Sequence, residues 1–178
     1  VELGTLAVKG VLQRAGIDPR SGIIDQIYMG QVLQAGTGQA PARQVAMAAG
    51  LPYSTPCTTV NKVCGSSLKA VMIAATEIMA GRSNVIIAGG MESMSQAPHF
   101  IRGARRGDEI SFAELTGILS HDGLKDAYDG TMMGITGETI AEEANISRSQ
   151  SDQYALRSHN LSNSAWQKGW LAEECVSM

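Results

Sequence analysis

The sequence lacks a long apolar run, a long run of like charges and a signal-like N-terminus. None of its apolar stretches approaches the roughly 18 residues that a membrane-spanning helix needs, and no charged flank precedes an apolar segment at the start. Its 14 basic and 17 acidic residues are scattered and give a net charge of −3. These absences argue against a membrane span and against a broad face that binds nucleic acid or membranes.

Motifs for metals, disulfides and nucleotides are also missing. Three cysteines, Cys57, Cys64 and Cys175, cannot all pair with one another, and none has CxxC spacing. The three histidines show no HExxH-like spacing, and no acidic cluster suggests a metal site. Gly36 and Gly38 form neither a P-loop nor a dinucleotide fingerprint, so a loop explains them better. We therefore expect no metal and no resident cofactor, and a reducing, cytoplasmic location.

Charge is concentrated at one place only, where Arg102, Arg105 and Arg106 fall within five residues. Such a cluster could meet a phosphate group or an acidic neighbouring subunit. A solvated loop is the simpler interpretation and the one we favour.

Helix and strand patterns alternate over the first half of the chain. With 178 residues and 44% apolar content, the chain is long enough to bury a core. The apolar spacing predicts a buried third helix and an α/β layer with a parallel or mixed sheet. The predicted helices cover residues 3–15, 41–49 and 65–81, and the predicted strands lie within 23–32, 55–60 and 85–88.

The sequence pattern changes after Ser93, and the apolar residues show little periodic spacing from there to about residue 137. Ser147 and Gln150 then have capping-box spacing ahead of a long helix predicted over 149–168. We therefore predict two domains, an α/β domain at 1–93 and a loop-rich subdomain at 94–178.

Cys64 lies where the second predicted strand ends and the third predicted helix begins. Free amides at the start of a helix favour a thiolate and can bind the oxyanion that forms when a carbonyl is attacked. Position alone leaves the alternative that Cys64 only fills space, as buried cysteines often do. For Cys57 and Cys175 that structural interpretation is favoured.

The segments around Cys64 resemble those of the thiolase family. They are NKVCGSSLKA (61–70) and AGGMESMSQAPH (88–99), and the similarity extends through GQVLQAGTGQAPARQ (30–44), HDGLKDAYDG (121–130), MMGITGETIAEE (132–143) and ISRSQSDQYALRSH (146–159). The chain looks most like the biosynthetic thiolases, which are bacterial acetyl-CoA acetyltransferases. The resemblance implies a thiolase-like fold whose N-terminal βαβαβ half lacks its first strand, followed by a loop domain that covers coenzyme A. It also implies that the C-terminal half is missing, so that the chain is truncated at both ends.

The resemblance further implies a two-step Claisen chemistry on coenzyme A thioesters. Cys64 would take an acyl group as a thioester, and a second acetyl-CoA would then attack it. The family's histidine, second cysteine and asparagine lie in its C-terminal half, so the fragment alone should be inactive. Family members are dimers or tetramers, which implies a homo-oligomer.

Two departures from the biosynthetic pattern bear on the substrate. Met132-Met133-Gly134 stands where His-Met-Gly is usual, and Met-Met-Gly is found among fatty-acid-degrading members of the family. Met133 matches a family pocket residue beside the acyl group, although a methionine there could also be a gap filler. Ser67 replaces a usual glycine. The alternatives are therefore a degradative 3-ketoacyl-CoA thiolase, a thiolase-like carrier of CoA esters or lipids without turnover, and, less favoured, a ketosynthase.

Overall fold

The computed structural model describes residues 1–104, 107, 111 and 115–178. The chain divides into two compact units, Val1–Leu124 and Lys125–Met178. The domain boundary predicted at 93/94 falls inside the first unit and stays a prediction.

The first unit contains the α/β layer that the sequence predicts. Its elements are α1 (Glu2–Ala15), β1 (Gln26–Gly30), α2 (Pro41–Ala49), β2 (Cys57–Val60), α3 (Ser66–Met79) and β3 (Ile86–Gly90). Local signals set their ends. Helix α1 ends at Gly16, whose φ of 67° is the left-handed conformation that glycine adopts easily, and α2 begins at Pro41 in its first turn.

The three strands form one parallel sheet in the order β2-β1-β3. The register pairs Tyr28 of the central strand with Thr58 on one side and Ala88 on the other. The fold therefore has the βαβαβ connectivity predicted from the sequence. Because all three strands run the same way, their carboxyl ends meet at a single edge of the sheet.

Side chains alternate across β1 and so place helices on both faces of the sheet. Ile27 and Met29 point into a core formed with α1 and α2, where Val45 is fully buried. Tyr28 points to the opposite face and packs against α3. The sheet is thus covered on both faces, as is usual for parallel sheets.

Helix α3 contacts the sheet through two buried alanines and the partly buried Ile73, which corrects the prediction that its large apolar residues are buried. Ala70 and Ala74 lie against Tyr28 and are 0% and 7% exposed. The other large residues lie on its other sides, where the described part of the chain does not cover them: Leu68, Val71, Met72, Ile78 and Met79. The spacing predicted the helix correctly but did not indicate which side faces the sheet.

The described residues after β3 in the first unit contain only short elements. After β3 come a short antiparallel pair, β4 (His99–Phe100) with β5 (Thr116–Gly117), and a π-helical segment, Leu119–Leu124.

The second unit contains helices α4 (Met133–Glu143) and α5 (Arg148–Gln167). Helix α4 begins at Met133, which is earlier than residue 137, where the sequence pattern predicted the return of periodic apolar spacing. The capping box at the start of α5 is confirmed, since the Ser147 side chain accepts from the Gln150 amide while the Gln150 side chain accepts from the Ser147 amide. Among the described residues, no helix combines the length and hydropathy needed to cross a membrane.

Candidate functional site

A cavity of about 400 Å³ lies at the carboxyl edge of the sheet, within the first unit. Its walls come from the end of β1 and the residues after it (30–33), from the end of β3 and the residues after it (90–92 and Met94), and from Leu119, Gly123 and Leu124 of the π-helical segment. Cys64 lies on the wall between β2 and α3 and is an exposed, free cysteine. The carboxyl ends of parallel strands are where open α/β folds bind ligands.

The backbone that carries Cys64 has an unusual conformation at the preceding residue. Val63 has a φ of 46°, which is the left-handed region that β-branched residues rarely adopt. Such a conformation costs on the order of 1–3 kcal/mol and persists only when the surroundings hold it. The residues around Val63 provide that support.

Two side chains hold the peptide groups on either side of Val63. The Val63 amide donates to Oδ1 of Asn61 at 2.9 Å, and the Ser66 hydroxyl donates to the Val63 carbonyl oxygen at 2.5 Å. The same Ser66 oxygen accepts from the Lys62 amide at 2.9 Å. Ser66 is 4% exposed, so the two bonds of its hydroxyl are partly shielded from competing water.

Two glycines let the start of α3 approach the sheet closely. A Cβ atom on Gly30, the last residue of β1, would lie 2.5 Å from the Ser67 nitrogen and 2.6 Å from the Ser66 carbonyl carbon. A Cβ on Gly90, the last residue of β3, would overlap the Ser67 hydroxyl oxygen. Ser67, the departure noted in the sequence, fits without disturbing the helix because Gly90 leaves room for its hydroxyl.

Two polar side chains of the cavity were not predicted from the sequence. The Glu92 carboxylate accepts from the Val32 amide at 2.8 Å and from the Leu33 amide at 3.3 Å, which joins the segments after β1 and β3. Gln31 is 4% exposed, and its Oε1 has no hydrogen-bond partner in the described part of the chain. The available signal was position, because both residues follow strands at the carboxyl edge.

The groups that line the cavity are suited to nucleophilic chemistry by the Cys64 thiol. No side chain caps the first turn of α3, so the Ser67 and Leu68 amides have no side-chain partner within the described ranges. Apolar side chains, Met91 and Leu124 among them, line the same cavity as Cys64. Among the described residues that line the cavity, Glu92 is the one carboxylate, and neither histidine nor lysine is present. Both oxygens of the Glu92 carboxylate already accept from the Val32 and Leu33 amides, so the cavity supplies a nucleophile and backbone donors but no free side-chain base among its described residues.

Three other residues singled out in the sequence belong to other parts of the structure. The Cys57 thiol donates to the Thr55 carbonyl oxygen at 3.1 Å within the sheet region, in keeping with its structural interpretation. Cys175 and Met133 belong to the second unit, where Met133 opens α4 with its side chain about half exposed. The role assigned to Met133 stays a prediction.

Of the histidines, glycines and arginines singled out in the sequence, those that the structure describes in the first unit do not line the cavity. His121 pairs with Asp122 at 2.6 Å, and His99 and His159 lie in β4 and α5. Gly36 and Gly38 both have positive φ, as a loop requires. The Arg102 guanidinium lies 5.4 Å from the centre of the Phe100 ring, while Arg105 and Arg106 lie outside the described residues. Over the described ranges, no group of three or more histidine, cysteine or acidic residues is arranged to hold a metal ion.

The pKa shifts in the first unit lie at the opposite edge of the sheet. Amide donors from Val85 and Asn84 lower the pKa of the Asp25 carboxyl, and a hydrogen bond from Arg82 lowers the pKa of Glu77. Burial raises the pKa of the Tyr28 hydroxyl. These groups stabilise loops and helix ends rather than the cavity.

Comparison with known proteins assigns the chain to a family. The model for the thiolase N-terminal domain matches residues 1–178. An acetyl-CoA acetyltransferase of Cupriavidus necator is 47% identical over 98% of the chain, and a mitochondrial acetyl-CoA acetyltransferase of Danio rerio is 45% identical over 98%. The crystal structure of the Acat5 thiolase from Ascaris suum, in complex with coenzyme A, superposes with a TM-score of 0.89 at 35% identity, over 99% of the chain.

The chain spans less than half the length of these proteins. It covers 44% of the Cupriavidus protein, 41% of the Danio protein and 45% of the Ascaris structure. The matched part includes the parallel sheet, α3 and the cavity that carries Cys64. Sequence motifs, fold and comparisons agree that the chain belongs to the thiolase family.

Proposed function

We propose that the protein containing this chain is an acyl-CoA acyltransferase of the thiolase type. It joins two acetyl-CoA molecules into acetoacetyl-CoA, or cleaves the product in the reverse thiolysis, through an acyl thioester on Cys64. The observation that carries the proposal is the exposed thiol of Cys64 on a cavity wall, beside the uncapped start of a 14-residue helix.

In the first step, the Cys64 sulfur attacks the carbonyl carbon of an acyl-CoA. Negative charge develops on the carbonyl oxygen, and the free first-turn amides of α3 stabilise it. When the tetrahedral intermediate collapses, the carbon–sulfur bond to coenzyme A breaks, and the departing thiolate takes up the proton that the Cys64 thiol gave up. Cys64 is left as a thioester.

In the second step, a base removes a proton from the methyl group of acetyl-CoA, and the resulting carbanion attacks the Cys64 thioester. A carbon–carbon bond forms and the bond to Cys64 breaks, which regenerates its sulfur. Such a base typically contributes about 10²–10⁴-fold in rate. Because the described cavity offers no evident base, the segment by itself supports at most acylation of Cys64 and is inactive as a complete acyltransferase.

The length of the acyl chain that the enzyme prefers is a separate question within this proposal. Met132 and Met133 form the Met-Met-Gly sequence that resembles fatty-acid-degrading thiolases, which favours a 3-ketoacyl-CoA thiolase as the second candidate. Met133 would contact the acyl group as a flexible apolar wall. Rates with acetoacetyl-CoA and with longer 3-ketoacyl-CoAs distinguish the two candidates.

Either another segment of the same protein or another subunit covers the apolar side of α3. Leu68 and Met79 are 66% and 87% exposed, and side chains of this size are normally removed from water when a neighbouring surface is available. We therefore include a homo-oligomer, a dimer or a tetramer, in the proposal. A cytoplasmic location is likewise proposed, and the name of the Danio relative shows that mitochondrial members exist.

The test is acylation of the full-length protein by acetyl-CoA, followed by peptide mass spectrometry. We expect one acetyl group on Cys64, loss of that adduct and of turnover in Cys64→Ser, and retention of both in Cys57→Ser. Cys57→Ser is the matched control because its hydroxyl can still donate to the Thr55 carbonyl oxygen. An unlabelled Cys64, or full turnover by Cys64→Ser, would contradict the proposal.

A further inference from the structure

We propose that Asn61 and Ser66 are positioning residues that hold Val63 in its left-handed conformation and thereby keep the Cys64 thiol on the cavity wall. This inference rests on the proposed function for its catalytic meaning. Its structural content concerns only how the backbone presents the sulfur.

The first observation is the conformation itself. The φ of 46° at Val63 is unfavourable for a β-branched side chain, and no glycine or asparagine occupies the position to relieve it. The backbone angles of Val63 set the direction in which the next residue projects. Relaxation of Val63 to an ordinary conformation would therefore turn the Cys64 side chain away from its present place.

The second observation is that each side of Val63 is fixed by a side chain of its own. Asn61 accepts from the amide, and Ser66 donates to the carbonyl oxygen while accepting from the Lys62 amide. Without these side chains, the backbone bonds from Gly65 and Ser66 would remain, but they occur in ordinary turns as well. The side chains therefore select the strained conformation.

The third observation ties the arrangement to the sheet. With Oδ1 of Asn61 occupied by the Val63 amide, its Nδ2 faces the Val32 carbonyl oxygen at 3.4 Å. The Val32 amide is in turn held by Glu92. The support for Val63 is thus continuous with the cavity walls after β1 and β3, so the sulfur is positioned relative to the space that a substrate would occupy.

The test is a rescue experiment on the full-length protein, with the rate of Cys64 alkylation by iodoacetamide as the readout. From the typical cost of left-handed valine, Asn61→Ala and Ser66→Ala should each slow alkylation by about tenfold. Adding Val63→Gly to either variant should restore the rate to within about twofold, because glycine adopts positive φ without strain. Asn61 is exposed, so Asn61→Ala remains informative if the buried Ser66→Ala variant fails to fold.

Ala40→Gly is the matched control. Ala40 also has a left-handed φ of 50°, but it precedes α2 and lies outside the cavity lining. Combined with Asn61→Ala, it should leave alkylation slow even where it raises the melting temperature. If Val63→Gly fails to restore the rate, or if Ala40→Gly restores it equally, the positioning role is overturned.

Acetylation by acetyl-CoA, measured on the same variants, separates this inference from the proposed function. Rescue of alkylation in a protein that never acetylates Cys64 would support the positioning role and refute the acyltransferase. Acetylation of Cys64 without any rescue by Val63→Gly would support the acyltransferase and refute the positioning role.

Discussion

Replacing Gly90 with alanine tests how closely α3 must approach the sheet. The new Cβ would overlap the Ser67 hydroxyl oxygen, lie 3.1 Å from the Ser67 Cβ and lie 2.8 Å from the Gly30 carbonyl oxygen. Overpacking of this kind costs about 1–3 kcal/mol. We expect Gly90→Ala to lower the free energy of unfolding by about 2 kcal/mol and to slow the modification of Cys64, because the start of α3 must move.

A second substitution locates the clash. Ser67→Gly removes both side-chain atoms that the new Cβ meets, but it leaves the Gly30 carbonyl oxygen in place. The double variant should therefore recover about half of the loss, a coupling of roughly 1 kcal/mol. Urea unfolding of the full-length protein, monitored by circular dichroism, gives the free energy of unfolding of the unmodified protein, the two single variants and the double variant.

Gly30→Ala is the control for the cycle. Its Cβ would meet the backbone nitrogen of Ser67 and the carbonyl carbon of Ser66, which Ser67→Gly does not remove. We expect a comparable loss of stability and no coupling to Ser67→Gly. Equal rescue of both alanine variants, or rescue of neither, would refute the packing geometry.

Two further predictions concern stability away from the cavity. Asp25→Asn should lower the melting temperature at neutral pH, because the amides of Asn84 and Val85 lower the pKa of the Asp25 carboxyl below its ordinary 3.8. The stability that the ionised Asp25 carboxylate contributes is present above pH 3.8 and is lost as the pH falls through the lower pKa of the folded protein. The melting temperatures of Asp25→Asn and the unmodified protein should therefore converge in acid, and a difference that grows in acid would refute this role of Asp25. Ser147→Ala should destabilise the start of α5 by about 1 kcal/mol, seen as faster amide hydrogen exchange over 148–151. Ser158→Ala, in the middle of the same helix, should leave that exchange unchanged, and equal acceleration in both variants would contradict the capping role.

The sequence predicted the elements of the sheet layer because their local signals agree with the fold. Glycines in left-handed conformations end α1 and α2, and Pro41 opens α2. The motifs around Cys64 then identified the family. Site residues on adjacent strand ends could be inferred to lie close together only once the parallel order β2-β1-β3 was known.

The conformation of Val63 could not be predicted, because its cause lies outside the residue. Valine has no intrinsic preference for positive φ, and the support comes from Asn61 and Ser66 on either side of it. The exposed side of α3 was missed for a related reason. Periodicity shows that a helix has an apolar face, but it does not show whether the large residues or the alanines contact the sheet.

The contacts that the alanines of α3 make with the sheet link position 70 to the placement of the Cys64 sulfur. Because Ala70 and Ala74 pack against the sheet with single methyl groups, they allow the helix to lie close to the strands. A residue one methylene larger at position 70 would raise the first turns, and Cys64, six positions earlier, would move with them. A substitution at a buried position outside the cavity lining would thus alter the place of the reactive sulfur without touching the cavity wall.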